Sequence, residues 1–224
     1  MYSHPTPPSG SFNDQLIAVP AHTRGGGVPA VGWARIAFVL NSLRELPTAV
    51  VIVEMVDEER LIIDWGGRRY WWLATDSALP EQPRIAGIRM ARAPGSVVPT
   101  MRELPETIDA LLWHAGLMAF PGETAPWLRA DAAYRATGWP NFTILEHGPE
   151  HVRMTALLSR RALTVEELAK AARVDASVAS DFVNALVLLE LLVEEDRVGT
   201  PEITVSGRTG LFAKLRARWG VDRG

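Results

Sequence analysis

Few residues in this chain combine the side-chain type and the spacing that chemistry needs. His147 and His151 stand four apart, with Glu150 beside the second, and this is half of a tetrahedral zinc site. Zinc would need both imidazoles on one helical face and a third ligand. Gly148-Pro149 breaks any helix between them, so the pattern reads as a helix start with exposed polar residues. His114 falls inside an apolar helical pattern and reads as a surface residue or a satisfied core residue. Asp57-Glu58-Glu59 with Asp64 offers carboxylates to a cation, but the simpler reading is a solvated hairpin turn. Arg24-Gly25-Gly26-Gly27 lacks the lysine, the hydroxyl residue and the strand-to-helix setting of a phosphate loop, and reads as a linker. There is no cysteine, hence no disulfide, thiolate ligand or thiol nucleophile. No Ser–His–Asp arrangement can be argued from spacing. The chain therefore reads as non-enzymatic, with no catalytic, cofactor-binding or metal-binding residue to assign.

Composition narrows the partners. Apolar residues make up 47% and charged residues 22% of the 224 residues, ordinary values for a folded chain with a proper core. The longest apolar stretches, 49–53 and 185–189, are each interrupted by a glutamate within a few residues. A spanning helix needs about 20 apolar residues, so no membrane span is expected. No basic segment leads into an apolar run at the amino terminus, and a cytoplasmic location is the simplest expectation. Lys170 and Lys214 are the only lysines among 23 basic residues, which points to GC-rich coding and a bacterial source. Net charge is −3, and neither half has the basic excess that a phosphate backbone rewards.

The periodicities give an α+β organisation. Residues 1–12, rich in Pro, Ser and Gly, read as a flexible tail. Apolar residues at Trp33, Ile36, Ala37, Leu40 and Leu43 predict a helix over Trp33–Leu46, stopped by Pro47. An antiparallel meander follows: a β-branched run centred on Val50–Val53, a strand at Leu61–Trp65, a tight turn at Gly66-Gly67, a strand at Arg68–Thr75 and a fourth at Arg84–Met90. Trp71 and Trp72 must then point to opposite faces of the sheet. A second helix is predicted over Leu104–Phe120, with an apolar stripe of Ile108, Leu111, Leu112, Ala115 and Met118. These elements make an α+β meander domain over 13–122. Residues 123–148 read as an aromatic-rich connector.

From residue 149 the order is helix, helix, turn, helix, hairpin. Glu150–Arg160 forms the first helix. Thr164 and Glu167 make a capping box for Val165–Ala172. A third helix opens at Ala176 or Ser177, with Val178, Phe182, Leu186 and Leu189 on one face. Strands at Leu191–Asp196 and Ile203–Ser206 flank a loop with Gly199 and Pro201. A basic amphipathic stretch, Leu211–Trp219, closes the chain. The segment LTVEELAKAARVDASVASDFVNALVLLELLVEED, Leu163 to Asp196, resembles the winged helix-turn-helix of bacterial regulators, although Glu190-Leu191 stands where those families place a glycine and a leucine. The fold expected is thus an N-terminal helix plus antiparallel β-meander domain, followed by a C-terminal winged-helix domain over 149–224.

In that superfold the third helix enters the major groove, and its exposed amino-terminal side chains read bases. Here those side chains are Ser177, Ser180, Asp181 and Asn184, with no arginine, lysine or glutamine among them. Asp175, Asp181 and Glu194-Glu195-Asp196 oppose a phosphate backbone, which Arg160, Arg161, Arg173 and Arg197 offset only in part. Residues 185–193 are apolar nearly all round apart from Glu190, so this helix should meet a second surface. The expectation is a regulatory or scaffolding protein acting through protein contacts, with a protein partner or a second copy of the chain. Its candidate surface is Ser177, Ser180, Asp181, Asn184, Leu188 and Leu191. The alternative is a DNA-binding transcriptional regulator with an N-terminal sensor domain. It would use Arg160, Arg161, Arg173, Ser177, Ser180, Asn184 and Arg197 on a basic surface that also includes Arg153.

Overall fold

The computed structural model describes residues 31–46, 49–75, 78–91, 104–129 and 131–195. It is an α+β structure. Helix α1 (Gly32–Leu43) precedes strands β1 (Val50–Met55), β2 (Arg60–Asp64), β3 (Arg69–Leu73) and β4 (Ile85–Ala91). A two-residue strand β5 (Glu106–Thr107) leads into α2 (Ile108–Met118). Then come β6 (Ala133–Ala136), α3 (Pro149–Leu158), α4 (Val165–Ala172), α5 (Ala176–Leu188) and β7 (Leu192–Glu195).

The meander is antiparallel, in the order β4-β1-β2-β3-β5. The β2–β3 turn is longer than its glycines suggest. Asp64 pairs with Arg69, so the loop has four residues, Trp65–Arg68, and Arg68 takes the left-handed conformation at φ 52°. Asp64 is 3% exposed and holds this loop. Its carboxylate accepts from the Gly67 amide at 2.9 Å and from Arg69 Nε at 3.0 Å. A Cβ on Gly67 would collide with that carboxylate. Asp64 is thereby committed to the turn.

Alternation in the strands decides which side faces the helices. Val51, Val53, Leu61, Ile63 and Tyr70 join Ile36, Leu40 and Leu43 of α1 and Ile108, Leu111 and Leu112 of α2 in one core. Trp72 packs against that core, whereas Trp71 lies on the opposite face with Val50 and Ile62, beneath the guanidinium of Arg69. The two tryptophans do point opposite ways. Both helices lie on the Trp72 side.

The second core gathers Met154, Leu158, Leu168, Ala172, Phe182 and Leu186 from α3, α4 and α5. The capping box is formed: Thr164 accepts from the Glu167 amide, and Glu167 accepts from the Thr164 amide. Arg173, left-handed at φ 56°, ends α4. β6, in a stretch expected to be irregular, pairs with β7, and Tyr134 also bridges to Leu163. Ile203–Ser206 and Leu211–Trp219 lie outside the described residues. No helix among the described residues is long and apolar enough to cross a membrane.

Helix α2 serves both cores. Ile108, Leu111, Leu112 and Ala115 face the sheet, while Trp113 is 3% exposed within the second core. Both of these sides of the helix are apolar because each packs into a core. Leu188, near the end of α5, is buried in the first core. Arg44, just beyond α1, donates to the Val187 carbonyl at the end of α5, which also accepts from the Glu190 amide at 2.9 Å. Its Nε lies 3.4 Å from Glu190.

Candidate functional site

Two places are candidate sites: the α5 surface singled out by the sequence, and a cleft on a neighbouring face of α2.

The α5 surface is largely interior. Ser180 is 6%, Asn184 1% and Leu188 1% exposed, so these three do not form a free interaction surface. The physical reason is the approach of α2. Gly116 lies against Ala185 so closely that a Cβ there would stand 2.7 Å from the Ala185 amide nitrogen. The turn after α2 then folds over the polar side of α5. Asp181 accepts from the Gly122 amide at 2.9 Å. Asn184 accepts from the Ala125 amide and donates to the Glu123 carbonyl, both at 2.8 Å. These side chains satisfy backbone groups that burial would otherwise orphan. Burial raises the Asp181 carboxyl above its ordinary range, and the Gly122 amide partly offsets this. Ser177 remains exposed at the start of α5, and Leu191 is half-buried. Arg160, Arg161 and Arg173 are exposed, and Arg153 donates to the Ala172 carbonyl. Arg197 lies outside the described residues.

The cleft is not legible as a site in the sequence. Its volume is about 690 Å³, within the size range of small-molecule clefts. Ala110, Trp113, His114 and Leu117 form one wall; they are spaced 3, 1 and 3 apart and so share a face of α2. Tyr70, Leu79 and Glu106 close it from the sheet side, and residues 144–148 with His151 from the start of α3. Tyr70 donates to Glu106 at 2.8 Å, and burial with this bond raises the phenol well above its usual range. Trp113 donates its indole N–H to the Glu146 carbonyl at 2.7 Å, which holds the 144–148 segment against α2.

The three histidines of the cleft differ. His151 accepts at Nδ1 from the Gly148 amide at 3.0 Å and stacks on Phe182 with centroids 5.7 Å apart. Burial lowers its pKa, against the pull of Glu150. His147 is exposed and engages the Leu145 carbonyl through Nδ1. The pair therefore serves a helix start, as the intervening Gly-Pro requires. His114 sits edge-on to Trp33 with centroids 4.7 Å apart, and burial lowers its pKa against the pull of Glu146. Its Nε2 is buried without a hydrogen-bond partner among the described residues. From sequence alone His114 is a bland position. The only signal is its place on a helical face with Ala110, Trp113 and Leu117. Among the described residues no three His, Asp or Glu side chains converge closely enough to hold a metal ion.

No protein-family model matches this chain, and no curated protein or solved structure is detectably similar to it.

Proposed function

We propose that this chain is a non-enzymatic regulatory or scaffolding protein that acts through protein contacts. In this reading its carboxy-terminal part is a winged helix used to join the two halves of the molecule. The observation that carries the reading is the engagement of α5. Asp181 and Asn184, which would face bases in a DNA reader, hydrogen-bond instead to the backbone of Gly122, Glu123 and Ala125. Freeing them for a groove would break those bonds and expose the Gly116–Ala185 contact. Exposed aromatic surface adds support, since Trp139 retains 53% exposure and such residues are enriched at protein interfaces.

The alternative, a DNA-binding regulator, draws on the exposed Arg160, Arg161 and Arg173. Anisotropy titrations of labelled duplex DNA at low and physiological salt decide between the two. The proposed function predicts nothing tighter than the non-specific range of about 10⁻⁴–10⁻⁶ M at physiological salt. A tight, salt-sensitive complex that is lost in the triple variant Arg160→Ala, Arg161→Ala, Arg173→Ala would establish DNA binding instead.

A further inference from the structure

We propose that the cleft beside α2 binds a small organic ammonium compound with an apolar or aromatic body. The inference goes beyond the proposed function and does not depend on it.

The charge pattern sets the sign of the ligand. Glu106 and Glu146 both line the cleft and are exposed, while no arginine or lysine among the described residues lines it. Of the three histidines in the lining, burial holds His114 and His151 toward their neutral forms, and His147 is exposed with its Nδ1 at the Leu145 carbonyl. An anion would enter against two carboxylates; an ammonium group would be drawn to them.

The remaining lining sets the body of the ligand. Leu79, Ala110, Leu117 and Ile144 give it apolar walls, and Tyr70 and Trp113 add aromatic ones. The phenol of Tyr70 donates its hydrogen to Glu106, which leaves the phenolic oxygen able to accept from an N–H group. Two carboxylates, a phenolic acceptor and apolar walls together describe a site for an amphipathic cation. Because no metal-binding cluster exists among the described residues, an organic cation fits better than an inorganic one.

The test is calorimetric titration of the full chain with three probes of one shape: 2-phenylethylammonium, the neutral 2-phenylethanol and the anion phenylacetate. The ammonium should bind saturably, the alcohol more weakly and the anion least. The double substitution E106Q/E146Q removes both charges, and the new amide oxygen at position 106 can still accept the Tyr70 hydrogen bond. It should weaken the ammonium about tenfold, as expected for two solvent-exposed ion pairs, and leave the alcohol unchanged. Leu117→Arg, which adds a cation to the wall, should abolish ammonium binding. Thermal melts of both variants establish that they remain folded. If E106Q/E146Q fails to fold, Leu117→Arg decides alone. Equal or tighter binding of phenylacetate, no saturation by the ammonium up to about 10 mM, or unchanged affinity in a folded variant would overturn the proposal.

Discussion

Two faces of α2 meet their surroundings in opposite ways. At Gly116 the helix presses on Ala185 of α5 with no room for a side chain. On the face of Ala110, His114 and Leu117 it borders an open cleft lined by two carboxylates. The first face is closed, and polar groups seal its margin. The second is open and partly apolar, and the imidazole of His114 beside it has a buried Nε2 without a partner among the described residues. One helix therefore both locks the two halves together and lines the space between them. Residue size decides which role each face takes: a glycine lets backbones meet, whereas larger side chains hold a neighbour away.

The closed face should be the more sensitive to change. Gly116→Val places branched carbon atoms where Ala185 backbone already stands. Its better fit to a helix than glycine cannot offset that clash. We expect a loss of at least about 4 kcal/mol, read from urea denaturation, or no folded protein at all. A variant as stable as the parent would mean that α2 and α5 do not cross at this residue.

Asn184→Ala tests the polar margin of the same face. It strands the Ala125 amide and the Glu123 carbonyl, and should cost about 3 kcal/mol. Asn184→Asp should cost at least as much at neutral pH, because it keeps the acceptor for the Ala125 amide but sets a buried carboxylate against the Glu123 carbonyl in place of the N–H donor. Losses below about 1 kcal/mol for both substitutions in thermal melts would show that these hydrogen bonds contribute little.

The smallest effect comes from the cleft side and depends on pH. Burial holds the folded pKa of His114 and His151 below the usual imidazole value. The unfolded chain, titrating at about pH 6.5, therefore binds protons that the folded chain refuses. The stability tied to neutral imidazole is complete above that pH and declines as pH falls through it toward the folded values. Melting temperature should drop between about pH 7.5 and about pH 5.5, and the double variant His114→Gln, His151→Gln should flatten the slope. Asp181 has the opposite sign, since its raised carboxyl favours the folded state as acid is added, and it works at the acid end of the range. A slope unchanged in the double variant would assign the effect to other groups.

Local elements are legible because local spacing makes them. The β-branched run of β1, the Thr164–Glu167 capping box and the existence of helix α1 follow from backbone preference and side-chain reach over a few residues. α1 ends at Leu43, a turn earlier than its pattern suggests, and β6 is not written in the local pattern at all. Its residues, Ala133–Ala136, carry little strand preference and form a strand because β7 and Leu163 offer partners.

The candidate site divides the same way. The apolar girth of α5 shows by itself that a second surface must cover the helix, and Gly148-Pro149 shows that His147 and His151 could not share a helical metal site. Which surface covers α5, and that Ser180, Asp181 and Asn184 turn inward, is decided only when Gly116 meets Ala185 from far along the chain. The cleft is likewise a product of tertiary structure. Tyr70, Glu106, His114 and Glu146 have no sequence spacing in common, and they converge because α2 is held between the sheet and the start of α3. Sequence determines the preferences of each segment; which polar groups are satisfied, and which are left facing a cleft, depends on contacts between segments distant in the chain.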